Sequence, residues 1–302
     1  MGGVNDVTVP AHVRGAFGVA DGPAVPVVAG SGTGWLVGAS GGAPGTVLRP
    51  VVDTALANWS AKVREELDVP GLRVAAPVRS RDGRHVVSGW RADRAVAGRP
   101  EARADETIAW SARINDALAG VERPRLVRRP AVRPWSETDL FAFAEAAAWD
   151  GDPEHDLAPG MEDRGTPFAT HRAAALLGAR GLVRLRRPVA PADRAGVVHG
   201  DLAQGLLFDD TAEPALTDVV PYARPAAWSA AVVAVDHLSW GTVDPGVLDR
   251  WRHLGDWPQM VVRAAVFRLA VHALHPGSRP AAVDGLQVMA RAVEEFVRGA
   301  AR

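Results

Sequence analysis

Two aspartates each follow a short apolar run in the stretch VVHGDLAQGLLFDDTAEPALTDVVPY, residues 197–222. Asp201 follows the run VVHG, and Asp218 follows the run PALT. Each run has the composition of a buried strand, so both carboxylates are predicted to lie where a strand enters a turn. There, one carboxylate can accept the proton of an attacking hydroxyl while the other holds Mg²⁺ against phosphate oxygens. The pair therefore indicates metal-dependent phosphoryl transfer, whereas the HGD motif alone would favour an aspartate that merely closes a turn.

The elements that must position these carboxylates fall into two parts of different composition. Up to Trp90 short apolar strands alternate with glycine-rich turns, and one helix is predicted at about 54–67 behind its cap Asp53. Beyond Trp90 the pattern is mainly helical and is interrupted by the strands that carry the two aspartates. The sequence therefore predicts an α+β chain with a small β-rich lobe at 1–90 and a larger, mainly helical lobe at 91–302.

This order of elements, together with HGDL at residues 199–202 and Asp218, resembles the aminoglycoside phosphotransferase and choline-kinase-like branch of the protein kinase fold. The resemblance covers roughly residues 25–240, and the phrases VVSGW, VVHGDL and LTDVVPYARPAAWSAAVVAVDHLSWG are similar to an actinobacterial subgroup of that family. It implies a bilobal kinase-like fold whose small lobe binds a nucleotide and whose helical lobe carries the catalytic loop and the acceptor site. ATP or GTP would be the substrate, with Mg²⁺ as the cofactor.

The resemblance also implies a role for each polar residue around the catalytic loop. Asp201 corresponds to the catalytic base, and His199 would brace the loop by hydrogen bonding to neighbouring backbone. Asp218 stands where the family holds Mg²⁺. Asp236 lies inside the otherwise apolar helix predicted at 226–240, where an unpaired carboxylate would be costly. By resemblance it accepts hydrogen bonds from the catalytic loop and holds the loop in shape.

One ligand that the family supplies to the metal is missing from this loop. In the family an Asn a few residues after the base provides a second oxygen to the metal. Here that position falls on Leu206, or on Gly205 if the loop is one residue shorter, and neither has a side-chain oxygen. Gln204 carries an amide but is displaced from the position. Because these enzymes act mainly by positioning the phosphate, the loss predicts weakened catalysis.

The nucleotide side of the resemblance rests on a glycine-rich hairpin and one arginine. The glycines between the first two predicted strands are Gly30, Gly32 and Gly34. Their backbone N–H groups can cover a phosphate, or they form a plain mobile turn. Arg49 occupies the third-strand position where kinases place Lys, and its guanidinium can fork onto phosphate oxygens. Its acidic partner is expected from the following helix, where Glu65 and Glu66 are both candidates.

Two further groups of residues are expected to contact the ligands. The segment Val86–Trp90 is expected to connect the lobes and to meet the adenine with backbone groups. Gly89 would ease the turn, while Trp90 would either wall the pocket or belong to the core. The residues expected to face the acceptor are Tyr222, Arg224 and Trp228. A proline-bearing turn packed with aromatic residues is also a common structural feature, so a structural role stays open for these three.

Composition excludes several other classes of function. The formal net charge is −1 and basic residues do not alternate with aromatic ones, so no nucleic-acid partner is expected. The absence of cysteine excludes disulfides, thiolate metal sites and a cysteine nucleophile. The longest apolar run, at 226–235, is too short to span a bilayer, and the first residues lack the pattern of a secretory signal. We therefore expect a cytoplasmic protein with no membrane partner.

Two functions from different classes are compatible with these residues. The first is a phosphotransferase that moves the γ-phosphoryl group of ATP or GTP to a hydroxyl of a small molecule or peptide, with weakened activity. The second is a catalytically impaired, pseudokinase-like protein that binds a nucleotide, a peptide or a protein partner as a scaffold. Asp201 and Asp218 favour the first, and the missing amide at Leu206 favours the second.

Overall fold

The chain divides into two compact units in a computed structural model. The described residues are 9–19, 22–29, 32–38, 45–124, 137–149, 170–189 and 196–300. Unit 1 comprises residues 1–101 and 204–220, and unit 2 comprises residues 102–203 and 221–302. Unit 1 is rich in strands and unit 2 is mainly helical. The α+β class predicted from the sequence is therefore confirmed.

The main sheet of unit 1 is antiparallel. The elements before residue 101 are α1 (Ala11–Phe17), β1 (Val25–Ala29), β2 (Gly32–Val37), β3 (Thr46–Pro50), α2 (Thr54–Glu66), β4 (Arg73–Val74), β5 (Pro77–Val78), β6 (Val86–Val87) and β7 (Trp90–Arg94). The sheet has the strand order β1-β2-β3-β7-β5, and β6 also pairs with β7. Strand β4 lies outside this sheet.

The two faces of the main sheet differ in chemistry because side chains alternate along each strand. Leu48 of β3 and Trp90 of β7 lie on one face, where they form an apolar core with Val13 and Phe17 of α1. Arg49 is paired with Arg91 across β3 and β7, so these two side chains lie on the opposite face. The second face therefore gathers charged groups in the interior of unit 1.

Helix α2 contributes polar groups to that charged face. The helix begins where the sequence predicts, because the side chain of Asp53 accepts a hydrogen bond from the N–H of Leu56 at 3.0 Å. Its last residue is Glu66, within one residue of the predicted end. Ser60 and Arg64, one turn apart on the helix, are both buried. Helix α2 thus supplies a hydroxyl and a guanidinium to the interior of unit 1.

Residues 204–220 belong to unit 1, and this differs from the predicted split into 1–90 and 91–302. The segment contains β9 (Leu206–Leu207) and β10 (Ala215–Leu216), which are antiparallel to each other. Strand β10 also pairs in parallel with β4. A three-stranded sheet in the order β4-β10-β9 therefore binds this segment to the first hundred residues. Backbone pairing across the sequence, which no local pattern reveals, sets this boundary.

Unit 2 is built around one long buried helix. Its elements are α3 (Ala104–Leu118), α4 (Glu137–Trp149), α5 (Thr170–Val183), β8 (Gly196–His199), β11 (Pro221–Arg224), α7 (Ala226–Ser239), α8 (Val247–Arg250), α9 (Trp257–Leu274) and α10 (Val283–Ala300), while a short helix α6 (Leu202–Gly205) precedes β9. Helix α9 contacts α4, α5, α7 and α10. No helix in the described ranges is long and apolar enough to cross a membrane.

Candidate functional site

The loop that carries Asp201 is held by hydrogen bonds on both sides of its strand. Strands β8 and β11 pair antiparallel, and β8 ends at His199. The His199 backbone N–H donates to Oδ1 of Asn115 at 3.2 Å, and its carbonyl accepts from Oγ of Ser229 at 2.6 Å. Nδ1 of the His199 ring accepts the N–H of Asp201 at 3.0 Å. His199 therefore ties the backbone of Asp201 to the strand pair.

The side chain of Asp201 shares one guanidinium with Asp236. Nη2 of Arg268, on α9, lies 3.1 Å from Oδ1 of Asp201 and 2.5 Å from Oδ2 of Asp236, while its Nε lies 2.6 Å from Oδ1 of Asp236. The resemblance implies that Asp236 accepts hydrogen bonds from the catalytic loop. Its carboxylate is instead bound by Arg268, so it supports Asp201 through that side chain.

The electrostatics of this bridge are those of two carboxylates and one cation in a largely buried place. Burial raises the pKa of Asp236 to about 6, against the lowering effect of Arg268. Burial lowers the pKa of Arg268, but Asp236 and Asp201 outweigh it and hold that pKa above its usual value. The Asp201 side chain keeps 15% of its surface exposed. Asp201 is therefore fixed in place and still reachable.

The three residues expected at the acceptor have different environments. Trp228 is fully buried and makes edge-on contacts with the rings of Tyr222 and Phe267 at centroid distances of 5.0 and 5.6 Å. Of the two roles left open for Trp228, this position favours the structural one, in the core of unit 2. Arg224 forms an ion pair with Glu145 and is also half-buried. Tyr222 keeps part of its surface exposed, and burial raises the pKa of its hydroxyl.

The ring of Tyr222 packs so closely on Gly200 that we expect Gly200→Ala to destabilise the protein. A Cβ at Gly200 would lie 2.3 Å from Cδ2 and Cε2 of Tyr222, so the ring would have to move. Overpacking of this kind costs about 1–3 kcal/mol, which thermal denaturation measures readily. Gly196→Ala, at the start of β8, is the control because its Cβ would come no nearer than 3.8 Å to another residue, Ala119. Equal stability of the two variants would contradict the packing of Tyr222 on this loop.

In unit 1, Asp218 is surrounded by donors. Its Oδ1 accepts hydrogen bonds from Oγ of Ser60 at 2.6 Å and from the N–H of Val219 at 2.9 Å. Arg91 binds both oxygens, with Nη1 3.1 Å from Oδ1 and Nη2 on Oδ2. Nε of Arg64 lies 3.7 Å from Oδ1. Burial raises the pKa of Asp218, but Arg91 and Arg64 outweigh it and hold that pKa well below its usual range.

Arg49 lies beside this cluster and is not paired with a glutamate of α2. Glu65 instead binds the exposed side chain of Arg79, with oxygen–nitrogen distances of 2.9 and 2.6 Å, and Glu66 is exposed. The prediction that one of these glutamates pairs with Arg49 is therefore wrong. The carboxylate on the charged face of the main sheet belongs to Asp93 on β7, and its Oδ1 is 2.8 Å from Nη1 of Arg64.

The glycines predicted to bind the nucleotide have unequal positions. Gly32 begins β2 opposite Ala29 of β1, and Gly30 lies outside the described residues. Gly34 lies next to Arg49: an added Cβ would be 3.2 Å from its Cγ and 2.7 Å from Cγ1 of Val47. Glycine at position 34 therefore leaves room for the Arg49 side chain.

The segment Val86–Trp90 is a hairpin within the sheet of unit 1. Ser88 and Gly89 have φ angles of 50° and 74°, and Val87 pairs with Trp90 across this two-residue turn. The segment therefore does not connect the units as predicted. Trp90 is 8% exposed and packs edge-on against Trp35 in the apolar core, on the face opposite Arg49. Of the two roles considered for Trp90, this position favours the core.

Solved structures with the same overall topology identify the fold. A spectinomycin phosphotransferase in its AMP-bound complex is 10% identical, with 94% of this chain and 96% of that chain covered and a TM-score of 0.59. A microcompartment-associated aminopropanol kinase is 18% identical, with 91% and 92% covered and a TM-score of 0.56. The chain has a bilobal, protein kinase-like fold. No protein-family model and no curated protein matches its sequence.

The kinase-like fold implies Mg²⁺, but the donor set in unit 1 does not fit this ion. Mg²⁺ prefers oxygen ligands in octahedral geometry, usually one or two carboxylates with water and phosphate. Both oxygens of Asp218 already accept hydrogen bonds from protein groups, and the guanidinium of Arg91 would repel a second cation. Among the described residues no cluster of three or more His, Asp or Glu could hold a metal. The carboxylate of Asp218 is thus already bound by the guanidinium of Arg91.

The position of the missing ligand is part of the hydrophobic interior of the kinase-like fold. Leu206 is 1% exposed and pairs with Leu216 across β9 and β10. The carbonyl of Gly205 accepts hydrogen bonds from the N–H and Oγ1 of Thr217, at 2.9 and 3.0 Å. Gln204 is half-buried on α6. Neither Leu206 nor Gly205 presents a side-chain oxygen, and an Asn at 206 would bury its amide in the core.

Sequence reasoning missed the arginines that organise both candidate sites of the kinase-like fold. Arg268 lies in the apolar helix α9, which also carries Arg263, and Asp236 lies in the apolar helix α7, so charges of opposite sign on two such helices indicate a buried pair. Arg91 and Asp93 alternate with Trp90 and Ala92 on β7. This alternation was a second signal, because a strand with charges on one face and apolar residues on the other needs a charged partner.

Proposed function

We propose that this protein is an impaired kinase-like protein that binds a nucleotide through unit 1 and transfers its phosphoryl group poorly or not at all. The observation that carries the proposal is the pairing of Asp218 with Arg91 and Ser60, which occupies both carboxylate oxygens. The buried Leu206 supports it, since it removes the second oxygen ligand. Positioning of the phosphate is most of what such an enzyme contributes, so both features weaken transfer. The bound nucleotide then stabilises a scaffold instead of being consumed.

Arg49 is the group that we assign to the phosphates of ATP or GTP. It is 6% exposed, and its Nε has no hydrogen-bond partner among the described residues. Burial lowers the pKa of Arg49 against the attraction of Asp93, which reflects the cost of keeping this cation in the interior. Phosphate oxygens would supply the missing acceptors in the forked geometry that guanidinium groups favour. The solved complexes of spectinomycin phosphotransferase with ADP and AMP support a nucleotide as the ligand class.

We expect Arg49→Leu to remove nucleotide binding without lowering the stability of the free protein. The variant loses a buried cation whose Nε has no partner in the described chain, so the free protein should melt at the wild-type temperature or above. The wild-type melting temperature should rise with ATP or GTP, because a ligand at about 100 times its Kd adds about 2.7 kcal/mol to the native state. Thermal denaturation with each nucleotide measures both effects.

Arg79→Leu is the matched control for this experiment. Arg79 is also an arginine of unit 1, but half of its side chain is exposed and it is paired with Glu65. This variant should keep the full nucleotide response. A wild-type protein that responds to neither ATP nor GTP would contradict nucleotide binding. A response that survives in Arg49→Leu would contradict only the assignment to Arg49.

A phosphotransferase remains the second candidate, and the environment of Asp201 favours it. Hydrogen bonds from Arg268 and to His199 hold this aspartate, and its side chain remains reachable, as a general base requires. The acceptor would be a hydroxyl-bearing small molecule or peptide near Tyr222. Spectinomycin phosphotransferase and aminopropanol kinase are named for small-molecule substrates, which supports that class of acceptor.

A further inference from the structure

Arg91 of unit 1 binds the carboxylate that a metal-dependent site would use to hold its cation. We propose that Arg91 replaces the divalent cation of this fold, so that unit 1 binds the phosphates of a nucleotide without Mg²⁺. The inference rests on the proposed function, since it concerns the same nucleotide. It adds that the cation is supplied by the chain itself and is therefore present whether or not metal is available.

The first support is the geometry around Asp218. Arg91 holds both oxygens of this carboxylate, and its Nε lies 3.6 Å from Oδ2 of Asp93. Its side chain keeps 12% of its surface exposed, and the Asp218 carboxylate anchors its guanidinium. A metal ion at this site would be held by the same carboxylate that holds the Arg91 guanidinium. The guanidinium of Arg91 thus takes the place of the divalent cation on Asp218.

The second support is the proximity of Arg91 to Arg49. The two residues are paired across β3 and β7, so their side chains leave the same face of the sheet at neighbouring positions. A phosphate that satisfies the free Nε of Arg49 would also lie within the field of Arg91. Two adjacent guanidinium groups form a phosphate site that needs no bridging ion.

The third support is the charge of the cluster. Arg49, Arg64 and Arg91 face two carboxylates, Asp93 and Asp218, which leaves an excess of one positive charge. Nη2 of Arg64, like Nε of Arg49, has no hydrogen-bond partner in the described part of the chain. A purely structural network would need only as many arginines as carboxylates. Both oxygens of Asp93 also lack a hydrogen-bond partner among the described residues, so it is the excess positive charge that favours an anionic ligand.

The direct test is a titration of wild-type protein with ATP, once in EDTA and once in excess Mg²⁺. If Arg91 supplies the cation, the two dissociation constants should agree within about threefold. Binding that is about tenfold or more weaker in EDTA would overturn the inference and leave nucleotide binding intact. Binding in neither buffer would overturn the proposed function and this inference together.

Asp218→Asn separates the two accounts by the sign of its effect. In a metal-dependent site this substitution removes the main metal ligand and weakens binding. In the site proposed here it removes a negative charge beside the phosphate and keeps a side chain that can bond Ser60, so binding in EDTA should tighten by roughly threefold or more. Asp210→Asn, an exposed aspartate of unit 1, is the matched control and should change affinity little. A loss of about tenfold in Asp218→Asn would overturn the inference.

Arg91→Gln completes the set. This variant should lose at least about tenfold in ATP affinity in EDTA, and excess Mg²⁺ should restore part of the loss because Asp218 is released to bind the ion. ATP affinity that is unchanged in EDTA would overturn the role of Arg91. If Arg91→Gln does not fold, the wild-type titration and Asp218→Asn still decide the question, since neither removes an arginine.

Discussion

Replacing Arg268 by Met is expected to lower the free energy of unfolding by about 3–5 kcal/mol near neutral pH, because a buried ion network loses its cation. Arg268 is the bridge between Asp201 and Asp236, with contacts of 3.1 Å to the first and 2.5 and 2.6 Å to the second. Met retains much of the apolar length of the side chain, so packing on α9 changes little. The expected decrease in the free energy of unfolding therefore arises from the two carboxylates that are left without their cationic partner.

The loss in Arg268→Met should shrink as the pH falls. Burial already raises the pKa of Asp236 to about 6 in the folded protein, and removal of Arg268 raises it further. A carboxyl whose folded pKa lies above its unfolded value contributes stability at low pH, and that contribution is lost as the pH rises through the folded pKa. The destabilisation should thus be smaller at about pH 5 than at about pH 8.

Chemical denaturation at these two pH values measures the effect. Arg298→Met is the control, because Arg298 and Glu294 form an exposed pair on α10 that should contribute little at either pH. A loss that is the same at both pH values would contradict the claim that uncompensated carboxylate charge causes it. Loss of catalytic-loop order alone would give such a pH-independent result.

Arg64→Met is expected to be comparably costly in unit 1, at roughly 3–5 kcal/mol. The Arg64 side chain is fully buried, and its Nη1 lies 2.8 Å from Oδ1 of Asp93 and donates to the carbonyl of Ala75 at 2.7 Å. Methionine would leave the Asp93 carboxylate without this cation and the Ala75 carbonyl without this donor inside the fold. The substitution also removes one of the arginines next to Asp218.

Arg79→Met is the matched control in this unit. Arg79 is bound to Glu65 at the surface, and an exposed pair of this kind contributes little to stability. Thermal and chemical denaturation of both variants should show a large loss for Arg64→Met and no measurable loss for Arg79→Met. Comparable losses would mean that the glutamates of α2, not Asp93, organise the charged interior of unit 1.

Local patterns predicted much of the fold because their causes are local. The cap at Asp53 and the apolar positions behind it predict α2, and the structure begins that helix at Thr54. Glycine-rich turns between short apolar runs predict the antiparallel strands of unit 1. The buried strand that ends at His199 follows from the same reasoning. These features depend on residues within a few positions of one another.

The partners of the charged residues could not be predicted in the same way. Arg91 and Asp218 are 127 positions apart, and Arg268 is 67 positions from Asp201. Such pairs follow from the packing of distant elements, so sequence spacing does not specify them. The resemblance placed the acidic partner of Arg49 on the following helix, where Glu65 and Glu66 are the candidates, whereas the carboxylate that acts most on Arg49 is Asp93 of β7.

Local patterns also could not decide whether Trp90 and Trp228 face a ligand or pack in an apolar core. Trp90 and Trp228 both stand next to predicted site residues in the sequence, yet each packs into a core. On β7 the neighbour of Trp90 points to the opposite face, because side chains alternate along a strand. Of the two roles left open for Trp90, the alternation along β7 therefore favours the core.

We expect unit 1 to bind the nucleotide and Asp201 to turn it over poorly or not at all. The most direct measurement compares wild type with Asp201→Asn, following both ATP affinity and release of labelled phosphate in the presence of Mg²⁺ and a panel of small hydroxyl compounds. Equal affinity is expected in the two proteins, with phosphate release at or close to the background rate in both. A general base contributes roughly 10²–10⁴-fold to the rate of transfer, so a working enzyme would lose turnover in Asp201→Asn. Turnover well above background in wild type that disappears in this variant would contradict the account and establish the phosphotransferase.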